Sequence, residues 1–234
     1  MKAYECLEQF GYTFTGNPDA EVHPAVVNLM RNHKIIEQRR KVISASDIAS
    51  AIGDNPHKPI RSLLRDKVFG CTFKGNVHTQ HGQRYEPIAC EKFCQQTGHT
   101  VFEFGLLPHP TIPFLAGSPD GVCADGSIIE IKCPLTRAIK NEVPVYYYPQ
   151  VQIVLEIVDS PTEKGYFIQY KPEEINNGVE EFVITEVPRS RTWFQEKLPL
   201  IADFWNSVIH FREHPEELEP CMIDANLYEK KSIA

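Results

Sequence analysis

The sequence predicts an α/β (α+β) fold in which a central mixed sheet of about five strands is flanked by helices. Three observations carry that expectation. The first third of the chain has apolar residues at three-to-four spacing, the period becomes strand-like after His99, and helical stripes return between the later strands and at the end. The resulting order is helix, strands, helix, strands, helix. At 234 residues the chain can bury a core without disulfides or structural metal. We expect one domain over residues 1–234, with residues 1–30 as a candidate N-terminal extension.

The elements follow in order. Residues 24–42 and 59–69 read as helices with few breakers, and Ser44 or Ser46 can cap a short helix between them. Residues 85–96 form the next helix, closed by Gly98, with Ile88, Ala89, Phe93 and Cys90 facing inward. Residues 100–107, 115–124 and 127–133 read as strands, and Ala124-Asp125-Gly126 turns the last two into a hairpin, with Asp125 as its turn residue. Residues 146–158 return to helical spacing, with Val151, Val154, Leu155 and Val158 on one stripe. Strands at 165–170 and 181–187 and a helix at 192–211 complete the fold. The last helix carries Trp193, Phe194, Phe204, Trp205 and Phe211 as core residues.

Apolar residues make up 42% and charged residues 24%, the proportions of an ordinary globular protein. No stretch stays apolar for the ~20 residues of a membrane span, and the N-terminus lacks a basic flank before an apolar core. We therefore expect no membrane partner and an intracellular protein, in the cytoplasm or nucleus of a host cell. Seven cysteines at irregular spacing argue for reduced thiols; Cys90 and Cys94 lie one helical turn apart without further ligands at zinc spacing and read as core. The net charge of −7 disfavours nonspecific nucleic-acid binding but leaves room for a local basic lining. Lys34, Arg39, Arg40, Lys41, Lys58, Arg61, Arg65 and Lys67 cluster in the first third, and read equally as such a lining or as a solvated helix face.

The informative segment runs from Gly117-Ser118-Pro-Asp120-Gly through the hairpin to Glu130-Ile131-Lys132-Cys-Pro134. Glu130 and Lys132 differ by two, so on a strand both side chains leave the same face. The hairpin brings Asp120 beside them. Two carboxylates and a main-chain carbonyl supply the oxygen ligands Mg²⁺ prefers, with positions left for water and a phosphate. Lys132 can orient that water, ease its deprotonation or neutralise charge developing on the phosphate. Taken separately, Glu130-Ile-Lys132 also fits a solvent-facing ion pair and Ser118-Pro-Asp-Gly121 an ordinary turn.

Together these residues resemble the core of phage lambda-type exonucleases and the related YqaJ viral recombinases, within the PD-(D/E)XK nucleases. Three further blocks in the same order match that family: His81-Gly-Gln-Arg-Tyr-Glu86, Tyr147-Tyr-Pro-Gln150-Val-Gln152 and Arg39-Arg-Lys-Val-Ile-Ser-Ala-Ser46. The resemblance covers roughly residues 39–170 and implies a restriction-endonuclease-like fold. It implies Asp120, Glu130, Lys132, Glu86 and Gln150 as catalytic residues. Asp120, Glu130, the Ile131 main-chain carbonyl and Glu86, directly or through water, would hold Mg²⁺, with Mn²⁺ as a substitute. Arg39, Ser46, Ser118 and Tyr147 would bind the DNA 5′-phosphate, with Arg40 replacing Arg39 if the register shifts by one.

The activity implied is 5′→3′ digestion of one strand of linear double-stranded DNA, leaving 3′ overhangs for recombination or repair. The family's ring-shaped homotrimer and a single-strand annealing partner follow from the same resemblance. A structure-selective or restriction-type endonuclease with the same core, and a degenerate DNA-binding module, are the alternatives. His78, His81, His99 and His109 are assigned no role, and Glu156 reads as a solvated or paired carboxylate.

Overall fold

The structure is a computed structural model that describes residues 1–33, 41–70 and 75–218. The chain begins with α1 (Ala3–Phe10), β1 (Phe14–Thr15) and α2 (Pro24–Asn32). It continues through β2 (Ile43–Ser44), a 3-10 turn (Ala45–Asp47), α3 (Ile48–Ala51), α4 (Ile60–Phe69) and α5 (Val77–Thr97). Four short strands follow: β3 (Val101–Phe102), β4 (Leu107–Pro108), β5 (Leu115–Gly117) and β6 (Gly121–Cys123). β7 (Ile128–Lys132), α6 (Tyr148–Val158), β8 (Lys164–Lys171), β9 (Glu181–Pro188) and α7 (Arg191–Glu213) complete it.

A six-stranded mixed sheet has the order β1-β3-β6-β7-β8-β9, in which only β7 and β8 run parallel, joined by the α6 crossover. The sheet is one strand larger than expected because Phe14–Thr15 adds an edge. Alternation along β7 divides the interior: Ile129 and Ile131 pack with Tyr85, Ala89 and Phe93 of α5, while Ile128 packs with Val151, Val154 and Leu155 of α6. Residues 1–33, which carry no sequence landmark, supply Ala3, Cys6, Val22, Val26 and Met30 to the same core as α6 and α7.

Several expected elements are corrected. The helix expected over 24–42 stops at Asn32, and Ile43–Ser44 is a strand paired parallel to β5; residues 34–40 lie outside the described residues. The strand expected over 100–107 is two short strands in different sheets, since β4 joins a small sheet of order β2-β5-β4. The strand expected over 115–124 breaks at Ser118-Pro119-Asp120, where the chain passes from the small sheet to the large one; Pro119 has no N–H for a ladder. α5 starts at Val77, eight residues before the expected start at Tyr85. Asn76 caps it by accepting from the Thr79 N–H at 3.0 Å, and polar residues obscure the period over its first turns. Ile88, expected inside, is exposed. In α7, Phe194, Phe204 and Trp205 are buried as expected.

Candidate active site

The β6–β7 hairpin turns as its residues require. Gly126 has φ +92°, and Asp125 Oδ1 accepts from the Ser127 N–H at 2.9 Å and its hydroxyl at 2.6 Å. Gly121 follows Asp120 for a packing reason: a Cβ there would lie 2.2 Å from Val101 Cγ1, so only glycine lets β6 lie between β3 and β7. Pairing of β6 with β7 ends at Gly121 and Ile129. The Ile131 N–H, freed from the ladder, donates to Asp120 Oδ2 at 2.6 Å, which holds that carboxylate against the strand. The Ile131 carbonyl leaves the strand on the same side as its N–H.

Glu130 and Lys132 share the other face, toward α6. Glu130 is wholly buried; its Oε1 accepts from Lys132 Nζ and, at 2.6 Å, from Gln150 Nε2 of α6, whereas its Oε2 is buried without a hydrogen-bond partner. Burial and Asp120 push the Glu130 carboxyl up to about 8, and burial and Asp120 push Glu86 on α5 up to about 7. Burial also raises Asp120. Burial alone would lower Lys132, but the Glu130 and Asp120 carboxylates outweigh it and hold the ammonium above its usual range. Three carboxylates disfavouring their own ionisation, one with an unpaired buried oxygen, suit a hard divalent cation with oxygen ligands. Asp120, Glu130 and the Ile131 carbonyl could hold one, with Glu86 beside them.

Two clefts meet at this cluster. One, of about 510 Å³, is lined by His57, Glu86, Lys132, Arg137, Tyr146 and Tyr147; the other, of about 300 Å³, is lined by Glu86, Cys90, Glu103, Ser118 and Asp120. Glu86 and Ile131 line both. Sequence reasoning missed His57, Tyr146 and Arg137. Arg137 Nη1 donates to the Ala138 carbonyl, and Nη2 is buried without a partner. A cation just beyond the carboxyl end of β7, where ligands of such sheets bind, was the available signal.

The Tyr147 ring centroid lies 5.1 Å from Lys132 Nζ, so its contact is to that ammonium. Ser118 is half-buried in the smaller cleft. Ser46 is exposed on the 3-10 turn that packs against α6, its Oγ 3.1 Å from Ser44 Oγ. Arg39 and Arg40 lie outside the described residues. Part of the basic cluster is bound within the fold: Lys67 is buried on Asp47 at 2.8 Å and on the Val42 carbonyl at 3.0 Å, and Lys58 pairs with Asp66 at 3.0 Å. Gln152, the second glutamine of its motif, instead brackets α6 to the end of β9 and the start of α7, donating to the Pro188 carbonyl and accepting from the Ser190 N–H. Glu156 is paired, 2.7 Å from Arg189.

A model of the YqaJ-like viral recombinase domain matches residues 35–163, more than half of the chain. The mimivirus protein R354 of Acanthamoeba polyphaga mimivirus, itself uncharacterized, is 32% identical over 167 residues, and protein D345L of African swine fever virus strain Badajoz is 29% identical over 165. These alignments cover 63% and 56% of this chain but 30% and 46% of the relatives, so the chain spans less than half the length of either. An alkaline exonuclease from Laribacter hongkongensis shares the fold, with a TM-score of 0.63 at 22% identity over 79% of this chain and 96% of that one. Its complex with dAMP superimposes with a TM-score of 0.64 at 24% identity, covering 78% of this chain and 95% of that one.

Proposed function

This chain belongs to the YqaJ-like viral recombinase family, and on that premise we propose that it is a divalent-metal-dependent DNA exonuclease. The observation that carries the reading is the convergence of Glu86, Asp120 and Glu130 around Lys132, with one Glu130 oxygen buried and unpaired. Asp120, Glu130 and the Ile131 carbonyl would hold Mg²⁺, with Glu86 beside them. A bound ion would polarise the phosphodiester and lower the pKa of the attacking water.

The chain's own residues do the rest. Lys132, held charged by its carboxylate neighbours, serves as a hydrogen-bond donor and fixed positive charge for the phosphate as charge develops on it, rather than as a base. Gln150 fixes Glu130, and Tyr147 confines the Lys132 ammonium. Ser118 reaches a phosphate from the smaller cleft, and Ser46 with Arg39 receives a terminal 5′-phosphate. That end recognition sets 5′→3′ polarity on linear duplex DNA and leaves 3′ overhangs for recombination. A homotrimer around DNA, handing its product to a single-strand annealing protein, is the working assembly this reading favours.

The test is digestion of linear duplexes bearing 5′-phosphate or 5′-hydroxyl ends beside a covalently closed circle, in Mg²⁺ and in EDTA. Metal-dependent loss of the phosphorylated strand from its 5′ end, sparing the circle, is the expected result. Cutting of the circle would instead establish an endonuclease, and binding without cleavage a degenerate module.

Arg137, with an unpaired guanidinium nitrogen in the larger cleft, is assigned to a substrate phosphate. A charge-assisted hydrogen bond contributes about 1.5–3 kcal/mol, so Arg137→Ala should lower kcat/KM by about 10- to 100-fold. Arg137→Lys should restore part of it, because a point charge replaces the fork. Steady-state kinetics on a phosphorylated duplex read both, and an unchanged kcat/KM in the alanine variant would remove Arg137 from the site.

A further inference from the structure

We infer that His99, Cys123 and Asp125 form a second metal site, selective for a zinc-type cation and distinct from the carboxylate centre. A ring nitrogen of His99, the Cys123 sulfur and a carboxylate oxygen of Asp125 all lie within 4.8 Å of one another. The site is at the other end of β6 from Asp120: His99 leads into β3, Cys123 ends β6, and Asp125 is in the hairpin turn.

Aromatic rings hold His99, Ser127 holds Asp125, and burial fixes Cys123. The His99 ring is stacked on Phe93 at 5.3 Å between centroids and stands edge-on to Tyr166 at 5.2 Å, and its Nδ1 is buried without a hydrogen-bond partner. Cys123 is wholly buried. Asp125 has Oδ1 committed to Ser127, which leaves Oδ2 3.4 Å from His99 Nε2. That separation is long for a charge-assisted hydrogen bond, which closes to about 2.7–2.9 Å. Two ligands at about 2.0–2.1 Å from one tetrahedral ion stand roughly 3.3–3.4 Å apart.

The donor set decides the metal. Imidazole nitrogen, thiolate sulfur and one carboxylate oxygen suit Zn²⁺, whereas Mg²⁺ prefers oxygen alone. Three protein ligands leave a fourth position for water. Binding exchanges the thiol proton for a metal–sulfur bond, releasing one proton per ion. The bound ion would tie the hairpin that carries Asp120 to the entry of β3.

The probe is Co²⁺ added to the chelator-treated full chain. Thiolate-to-cobalt charge-transfer absorption should appear with tetrahedral visible bands, resist a large excess of Mg²⁺ and be displaced by Zn²⁺. Cys123→Ala should abolish the charge-transfer band, while Cys90→Ala and Cys94→Ala leave it intact. His99→Gln and Asp125→Asn should each weaken Co²⁺ binding by at least about tenfold. Asp125→Asn keeps an oxygen for Ser127, and His99→Gln leaves the buried thiol in place, so these two decide the matter if Cys123→Ala does not fold. Absence of a charge-transfer band, its survival in Cys123→Ala, or unchanged affinity in both His99→Gln and Asp125→Asn would overturn the inference.

Discussion

Lys132→Ala is expected to cut the cleavage rate by about 10²- to 10³-fold, the range for removing one donor aimed at developing charge, while leaving the protein folded. These two outcomes have one physical origin. The Lys132 ammonium is half-buried on the wholly buried Glu130, and the Glu130 and Asp120 carboxylates hold it charged. Removing one partner of a buried ion pair ordinarily costs about 3–5 kcal/mol, because the other charge is stranded. Here Glu130 has another course. Its carboxyl already lies at about 8 with Lys132 lowering it, so near neutral pH it already carries its proton, and without Lys132 it holds that proton more firmly instead of standing as a bare charge.

Stability should therefore fall by less than that usual cost while chemistry is lost. Lys132→Arg should not restore activity, because a planar fork cannot occupy the place of a point charge against Glu130 and the Tyr147 ring. Single-turnover cleavage of linear duplex, beside thermal melts followed by circular dichroism, separates the two effects. A Lys132→Ala protein that cuts within threefold of the parent rate would refute the role assigned to the ammonium.

The second large effect is on pH. Between pH 6 and 8, the affinity of the chelator-treated protein for Mg²⁺ should rise by about 10²- to 10³-fold. In the metal-free fold Glu86 keeps its proton up to about 7 and Glu130 up to about 8, whereas a cation needs both carboxylates ionised. Each proton displaced raises the apparent affinity about tenfold per pH unit below the group's own pKa. The same groups set the stability of the metal-free protein. An unfolded glutamate titrates near ~4.3, so between there and about 8 these two carboxyls bind more protons in the folded chain than in the unfolded one. Stability contributed by this pair is therefore present at low pH and lost as pH rises through that window, and Mg²⁺ should recover it on the alkaline side. Calorimetric titration from pH 6 to 8, with melts in EDTA and in Mg²⁺, reads both; Glu130→Gln should flatten the dependence. A Kd that does not move with pH would show that the carboxylates enter the complex already ionised.

The pairing of Glu130 with Lys132 was legible because a strand repeats every two residues, so Glu130-Ile131-Lys132 specifies which side chains share a face wherever the strand lies. The hairpin was legible because Asp125 and Gly126 are the residues its backbone demands. Less local features were not. The start of α5 was hidden because its first turns carry few apolar residues, and the break at Pro119 was read through because apolar residues continue on both sides of it. The basic cluster looked like a surface, yet Lys67 is buried on Asp47 and the Val42 carbonyl, partners that sequence spacing does not identify.

By itself, then, the sequence determined the class of fold, the strand carrying Glu130 and Lys132, the turn that returns Asp120 to them, and the residue types that suit a divalent cation. Those features depend on periodicity and turn chemistry, which act over a few neighbouring residues. Only the tertiary structure decided that Gln150 meets one Glu130 oxygen while the other is left unpaired, that Arg137 and Tyr146 face the cleft, and that Gln152 braces the fold. It also brought His99 to Cys123 and Asp125. Such encounters join residues far apart in the chain, and their geometry is set by how α5 and α6 pack on opposite faces of the sheet.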